Sequence, residues 1–139
     1  MKILILNGPN LNLIGKREPE IYGNQSLDDF LDAMKTRFYG CEIDKFQTNH
    51  EGVLIDKLHE AMGKYDGIVM NPGGYAHTSI ALADAVKAIG IPVVEVHISN
   101  IYEREEYRHH SYTAEAAAHS IVGHGLEGYA EAVEYLVKY

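Results

Sequence analysis

The strongest constraint on this chain is a regular alternation between short apolar runs and longer amphipathic ones. "KILIL" (2–6), "EIDKFQT" (42–48), "GIVMN" (67–71), "PVVEVHI" (92–98) and "AHSIVG" (118–123) have the length of strands, and Gly, Pro and Asn residues punctuate them. Between them, segments 26–39, 51–65, 78–90 and 125–139 carry helical spacing. In the first, Leu27, Phe30, Leu31 and Met34 form one stripe, with Ser26 placed to cap the helix and Asp29 three residues on. In the second, Val53, Leu54, Leu58 and Met62 share a face. The third has Thr78 or Ser79 near its start and Gly90 just past its end. Short buried strands separated by helices predict a parallel sheet covered on both faces. Five strands in this rhythm fit an α/β three-layer sandwich of the flavodoxin-like kind, with strand order 2-1-3-4-5. A length of 139 residues predicts one domain spanning 1–139.

Composition removes several function classes. A net charge of −8 makes nucleic acid and anionic membranes poor partners for the surface as a whole. No apolar run approaches the roughly 18 residues of a membrane helix. The opening "MKILILNGPN" is too short for a signal peptide, so a cytoplasmic location is expected. The single cysteine, Cys41, excludes an internal disulfide and a cysteine-rich zinc site, and its place beside an alternating run predicts a small packed residue. The histidines show no H-x-x-x-H or H-E-x-x-H spacing, so no metal is expected. "NGPN" lacks the Gly-rich phosphate fingerprints, so no nucleotide cofactor is expected either.

In sheets of this kind, ligands bind beyond the carboxyl ends of the strands. Four loops follow the first four predicted strands: "NGPNLNLIGKREPEIYGNQ", "NHEG", "NPGGYAHTS" and "HISNIYEREEYRHHS". They collect most of the histidines and three of the four arginines, Arg17, Arg104 and Arg108. On an acidic chain that clustering points to a pocket for a small anion. Bland readings stand beside it: "NPGG" is also a turn, "NHEG" also a helix start, and His109–His110 also a solvated surface. Glu95 and His97 lie two apart on a strand and so share a face. A carboxylate beside an imidazole fixes its tautomer and favours its charged form, which suits a general acid; a structural pair is the alternative. Ile98 and Ser99 then offer backbone N–H groups and a hydroxyl as a cradle for a carboxylate. Tyr22 shares a loop with Arg17. A phenol titrates at about 10, and a neighbouring guanidinium lowers that value, so a tyrosinate base is one reading and a packed loop tyrosine the other. Such a base suits removal of a proton beside a ketone, and Asn10 is placed to donate to the enolate formed. Lys16 is the one lysine in these loops and lacks the apolar setting of a Schiff-base lysine. A non-catalytic flavodoxin-like binding module and another carboxylate-binding lyase are the competing functions.

Taken together, "LNGPNLNLIGKREPEIYG", "FQTNHEG", "LIDKLHEA", "NPGGYAHTSIAL", "PVVEVHISNIYEREEYRHHSY" and "GHGLEGY" run in order across nearly the whole chain. In them the sequence resembles the type II 3-dehydroquinate dehydratases. The resemblance implies reversible loss of water from 3-dehydroquinate to give 3-dehydroshikimate, through an enolate and without Schiff base, metal or cofactor. It places the base on Tyr22, its activating arginine on Arg17 in a lid loop, a second nearby arginine on Arg104, and enolate assistance through an ordered water on Asn10. It places the general acid on His97, with Glu95 as partner. It gives the substrate carboxylate to Ile98 and Ser99, and the ring hydroxyls to Asn71, His77 and Arg108. It implies a dodecamer built from trimers, in which Asp84 reaches a neighbouring subunit's site. Ala83, Gly74, Val53 and Tyr102 depart from the commoner residues at their positions.

Overall fold

The computed structural model describes residues 1–15 and 26–138. Five strands, β1 (Lys2–Asn7), β2 (Glu42–Gln47), β3 (Gly67–Asn71), β4 (Val93–His97) and β5 (His119–Val122), form one parallel sheet in the order β2-β1-β3-β4-β5. Helices α1 (Leu27–Arg37), α2 (Glu51–Ala61), α3 (Ile80–Ala88) and α5 (Glu127–Lys138) are those that the sequence periodicity predicts. A fifth, α4 (Tyr112–Ala116), is too short to show a periodic stripe, and the sequence reading leaves it as loop.

Period-two alternation makes the two layers. β1 sends Ile3 and Ile5 to one face, where they join Val69, Val94 and Val96 beneath Leu31 and Met34 of α1 and Tyr129 and Val133 of α5. Leu4 and Leu6 go to the other face, with Ile68 and Met70, beneath Leu54 and Leu58 of α2 and Leu82 and Val86 of α3. Cys41 packs against the first of these layers, as expected of a small core residue. A fully buried aliphatic side chain contributes about 1.5–3 kcal/mol, so these two layers dominate the fold's stability. Ser79 caps α3 by accepting from Leu82 N at 2.9 Å, and Gly90 follows the helix with φ 70°. The expected Ser26 cap does not form. Ser26 holds the N-cap position in extended backbone, but its hydroxyl makes no capping bond; Asp28 and Asp29 instead put negative charge at the positive helix end.

The fold positions its functional end through one close backbone contact. Gly8 N donates to Asn71 O at 2.8 Å, binding the loops that follow β1 and β3. A Cβ on Gly8 would sit 2.4 Å from the Pro72 carbonyl oxygen, so no other residue fits. Gly8→Ala is therefore expected to cost about 2 kcal/mol or more in urea unfolding. Gly52→Ala, in α2 with open space around it, should be neutral or stabilise by about 0.5 kcal/mol. Equal effects at the two positions would refute the contact as a constraint.

Candidate active site

A cleft opens at the carboxyl ends of β1, β3 and β4, bordered by the loops after each. Its β1 side is Asn10, the one described residue other than glycine with positive φ, at 69°. Asparagine tolerates this left-handed conformation better than most residues. The turn is held on both sides: Leu13 N donates to Asn10 O at 3.0 Å, and Asn10 N donates to Asn49 Oδ1 at 3.1 Å. Asn49 is itself anchored, its Oδ1 accepting from Gln47 and its carbonyl from the Tyr75 hydroxyl. "NHEG" thus serves the site by bracing Asn10 rather than by bordering the cleft.

The β3 side is Asn71, which is 3% exposed and borders the cleft. Its Oδ1 accepts from Gly73 N at 3.1 Å, and its Nδ2 donates to the Tyr129 hydroxyl at 3.0 Å. That hydroxyl donates onward to Asn7 Oδ1 at 2.7 Å. Burial raises the Tyr129 phenol far above its ordinary pKa, so it stays protonated. "NPGG" leads from the end of β3 into a 3₁₀ helix, Gly73–His77, so that Asn71 and His77 border the same cleft.

The β4 side holds a carboxylate–imidazole pair. His97 Nε2 lies 2.7 Å from Glu95 Oε1. Glu95 is wholly buried, and its Oε2 accepts from the hydroxyls of Ser111, at 2.9 Å, and Thr113. Burial opposes the charge on Glu95 most strongly, but the bonds from His97, Thr113 and Ser111 together outweigh it. They hold the carboxyl below its ordinary value. An ionised Glu95 is acceptor only, so His97 Nε2 carries a proton and Nδ1 is the nitrogen left for chemistry. His77 stacks on His97 with ring centroids 5.9 Å apart. Burial chiefly lowers its pKa, with the His97 and Arg108 charges acting in the same direction. Its Nδ1 lies 2.8 Å from the His110 carbonyl, which only accepts, so Nδ1 is protonated and neutral His77 offers a lone pair at Nε2.

Pairing of β3 with β4 ends at Met70 and Glu95, and the β4 chain runs on past its neighbour. The carbonyls of His97 and Ile98 accept from Gly123 and Gly125, whereas the N–H groups of Ile98 and Ser99 have no backbone partner among the described residues. Ile98, Ser99, Arg104 and Arg108 all border the cleft. Glu105 sits between the arginines, 2.8 Å from Arg108 Nε and 3.8 Å from Arg104 Nε, and Arg104 also reaches Ser99 Oγ at 3.4 Å.

Of the predicted residues, Asn10, Asn71, His77, His97, Ile98, Ser99, Arg104 and Arg108 meet at this cleft, with Glu95 directly behind His97. Asp84 is exposed on α3 and is not among the residues bordering it. Arg17, Tyr22 and Lys16 lie outside the described residues. His109 and His110 are exposed, as the solvated reading expects. Sequence reasoning passed over Ser111, Thr113 and Tyr129. Ser111 opens the unpredicted α4, whose N-cap it forms by accepting from Ala114 N, and Tyr129 reads as an ordinary core position of α5.

The Glu95 environment sets an acid-stability test. A carboxyl held below its ordinary pKa adds stability above that value and loses it as pH falls through the lower, folded-state pKa. Thr113→Val removes one donor and raises the folded-state value toward the ordinary one. The variant's acid unfolding, followed by circular dichroism, should then begin at a higher pH than the parent's, within roughly pH 3 to 5. An unmoved transition would show that Thr113 does not support the charge.

Comparison with known proteins places this geometry. The family described as dehydroquinase class II matches residues 1–137. The 3-dehydroquinate dehydratase 1 of Corynebacterium efficiens is 56% identical over 137 residues, covering 97% of this chain and 91% of that protein. The catabolic 3-dehydroquinase 1 of Fusarium vanettenii is 50% identical over 138 residues, covering 98% and 96%. The crystal structure of the type II dehydroquinase from Butyrivibrio crossotus superposes with a TM-score of 0.95 at 46% identity, covering 99% of this chain and 97% of that one. With the family model matching residues 1–137 and the fold agreeing with a solved type II dehydroquinase, this protein belongs to the class II dehydroquinase family.

Proposed function

We propose that the protein dehydrates 3-dehydroquinate reversibly to 3-dehydroshikimate through an enolate, with Tyr22 as base and His97 as general acid. The coarser part is firm: a class II dehydroquinase is a hydro-lyase acting on dehydroquinate in shikimate or quinate metabolism. The observation that supports the mechanism is the buried Glu95–His97 pair, its hydrogen-bonded nitrogen fixed toward the carboxylate at the edge of a cleft bordered by Arg104 and Arg108.

The Tyr22 phenolate, supported by the Arg17 and Arg104 guanidinium groups, takes a proton from the carbon beside the ketone. Asn10 assists the enolate oxygen. The electron pair then re-forms the ketone and expels the hydroxyl one carbon further on, which takes the Nδ1 proton of a His97 protonated on both nitrogens and leaves as water. The new double bond is conjugated with the ketone. The substrate carboxylate sits on the Ile98 and Ser99 N–H groups and the Ser99 hydroxyl. His77 Nε2 accepts from one ring hydroxyl, and Asn71 and Arg108 donate to ring oxygens. The scheme needs no metal or cofactor.

The whole chain acts as one catalytic domain in this reading, within a cytoplasmic dodecamer of trimers and with no nucleic-acid or membrane partner. The outward position of Asp84 on α3, four residues from exposed Ile80, suits a side chain that completes a neighbouring subunit's site. Among the described residues, no helix is long and apolar enough to cross a membrane.

Addition of 3-dehydroquinate to the purified protein should produce the ultraviolet absorbance of a conjugated enoate. Tyr22→Phe and His97→Ala should each lower kcat by roughly 10²–10⁴-fold. No absorbance rise from folded parent protein would overturn the activity, and substantial turnover by either variant would overturn its assigned role. The neutral form of His77 also predicts a pH effect. As pH falls below the ordinary imidazole range, protonation removes its acceptor, so KM should rise in acid; in His77→Gln, which cannot titrate, that rise should flatten.

A further inference from the structure

Tyr129 lies on α5, in the core layer between that helix and the sheet, and its ring is wholly buried. Its hydroxyl nevertheless stands between the last residues of two neighbouring strands, Asn7 of β1 and Asn71 of β3, which are register partners. The directions of these bonds follow from one group that cannot be reversed. Gly73 N is a backbone donor, so the Asn71 atom it meets at 3.1 Å is the amide oxygen. The amide nitrogen then points to Tyr129, whose oxygen must accept, which commits the phenolic proton to Asn7 Oδ1. Nδ2 has two hydrogens, and Tyr129 takes one. The second has no partner among the described residues, and Asn71 borders the cleft.

We propose that Tyr129 is a positioning residue for substrate recognition: its hydroxyl locks the Asn71 amide so that the cleft receives a hydrogen-bond donor at this point, matched to a ring oxygen of the substrate. The inference rests on the dehydratase reading above. Without the hydroxyl, Asn71 keeps its Gly73 anchor but loses the bond that fixes the plane and tilt of its NH₂ group, and Asn7 and Asn71 compete for the space left. The ring itself supplies core packing only, so Tyr129→Phe keeps the packing and removes the hydroxyl's two bonds, to Asn71 and to Asn7.

The test compares Tyr129→Phe, Asn71→Ala and the double variant for kcat, KM and thermal unfolding with 3-dehydroquinate as substrate. Tyr129→Phe should raise KM roughly 5–10-fold, the loss of about one hydrogen bond, with kcat changed less than about threefold. The double variant should be no worse in KM than Asn71→Ala, because Tyr129 acts through that side chain. A lowered melting temperature with unchanged KM would make Tyr129 merely structural and overturn the proposal, as would KM effects that simply multiply. Should Tyr129→Phe fold poorly, Asn7→Asp gives a second arm: it keeps the acceptor for the phenolic proton, so its KM should stay near the parent's, and a large rise would count against the lock. If the parent protein does not dehydrate 3-dehydroquinate, the functional reading fails; if it does and KM is indifferent to Tyr129, only this inference fails.

Discussion

The site depends first on the approach of two backbone loops. Gly8 lies against the Pro72 carbonyl at a distance no side chain permits, and its N–H closes onto Asn71 O. That contact brings the end of β1 to the end of β3. Asn10 and Asn71 thereby border one cleft instead of two separate loops. Gly73 completes the fit: its φ is 60°, and a Cβ there would meet the Pro9 carbonyl at 3.1 Å. Glycine is needed on both loops for the same reason, since each must present bare backbone to the other. The left-handed turn at Asn10 is the local consequence. The chain must reverse just after its tightest contact, and bonds to Leu13 and Asn49 hold a conformation that would otherwise be costly.

Much of this was legible in the sequence, for physical reasons. Strand and helix periodicities report burial directly, so the five strands, their parallel sheet and four of the five α-helices among the described residues could be read from the alternating pattern. The Glu95–His97 pair was legible because two residues apart on a strand means the same face, a purely local fact. The cleft residues were legible because strand order alone says which loops share an edge. What escaped depends on contacts distant in sequence. Ser111 and Thr113 meet Glu95 across 16 and 18 positions, from a five-residue helix with no periodic signal. Tyr129 reaches Asn7 across 122 positions, and a tyrosine in an apolar stripe looks like packing alone. The Ser26 cap failed differently: residue type and spacing were right, but the adjacent acidic pair already supplies the favourable charge at the helix start.

The cleft's polar groups fall into two kinds according to what fixes them. The Glu95–His97 pair is referenced to side chains: the carboxylate is held by two hydroxyls and an imidazole, all of which can rotate or change protonation. Such a pair can pass a proton, because its state is set by a balance between burial and hydrogen bonding. His77 and Asn71 are referenced to the main chain instead, through His110 O and Gly73 N. A backbone carbonyl is always an acceptor and a backbone N–H always a donor. The tautomer of His77 and the orientation of the Asn71 amide are therefore settled before any ligand arrives. One presents an acceptor and the other a donor, and exchanging them would leave an unmatched buried group. A ligand with the wrong hydrogen-bonding pattern meets the same penalty. The cleft's polar groups thus divide into a pair with titratable references and a pair with invariant ones.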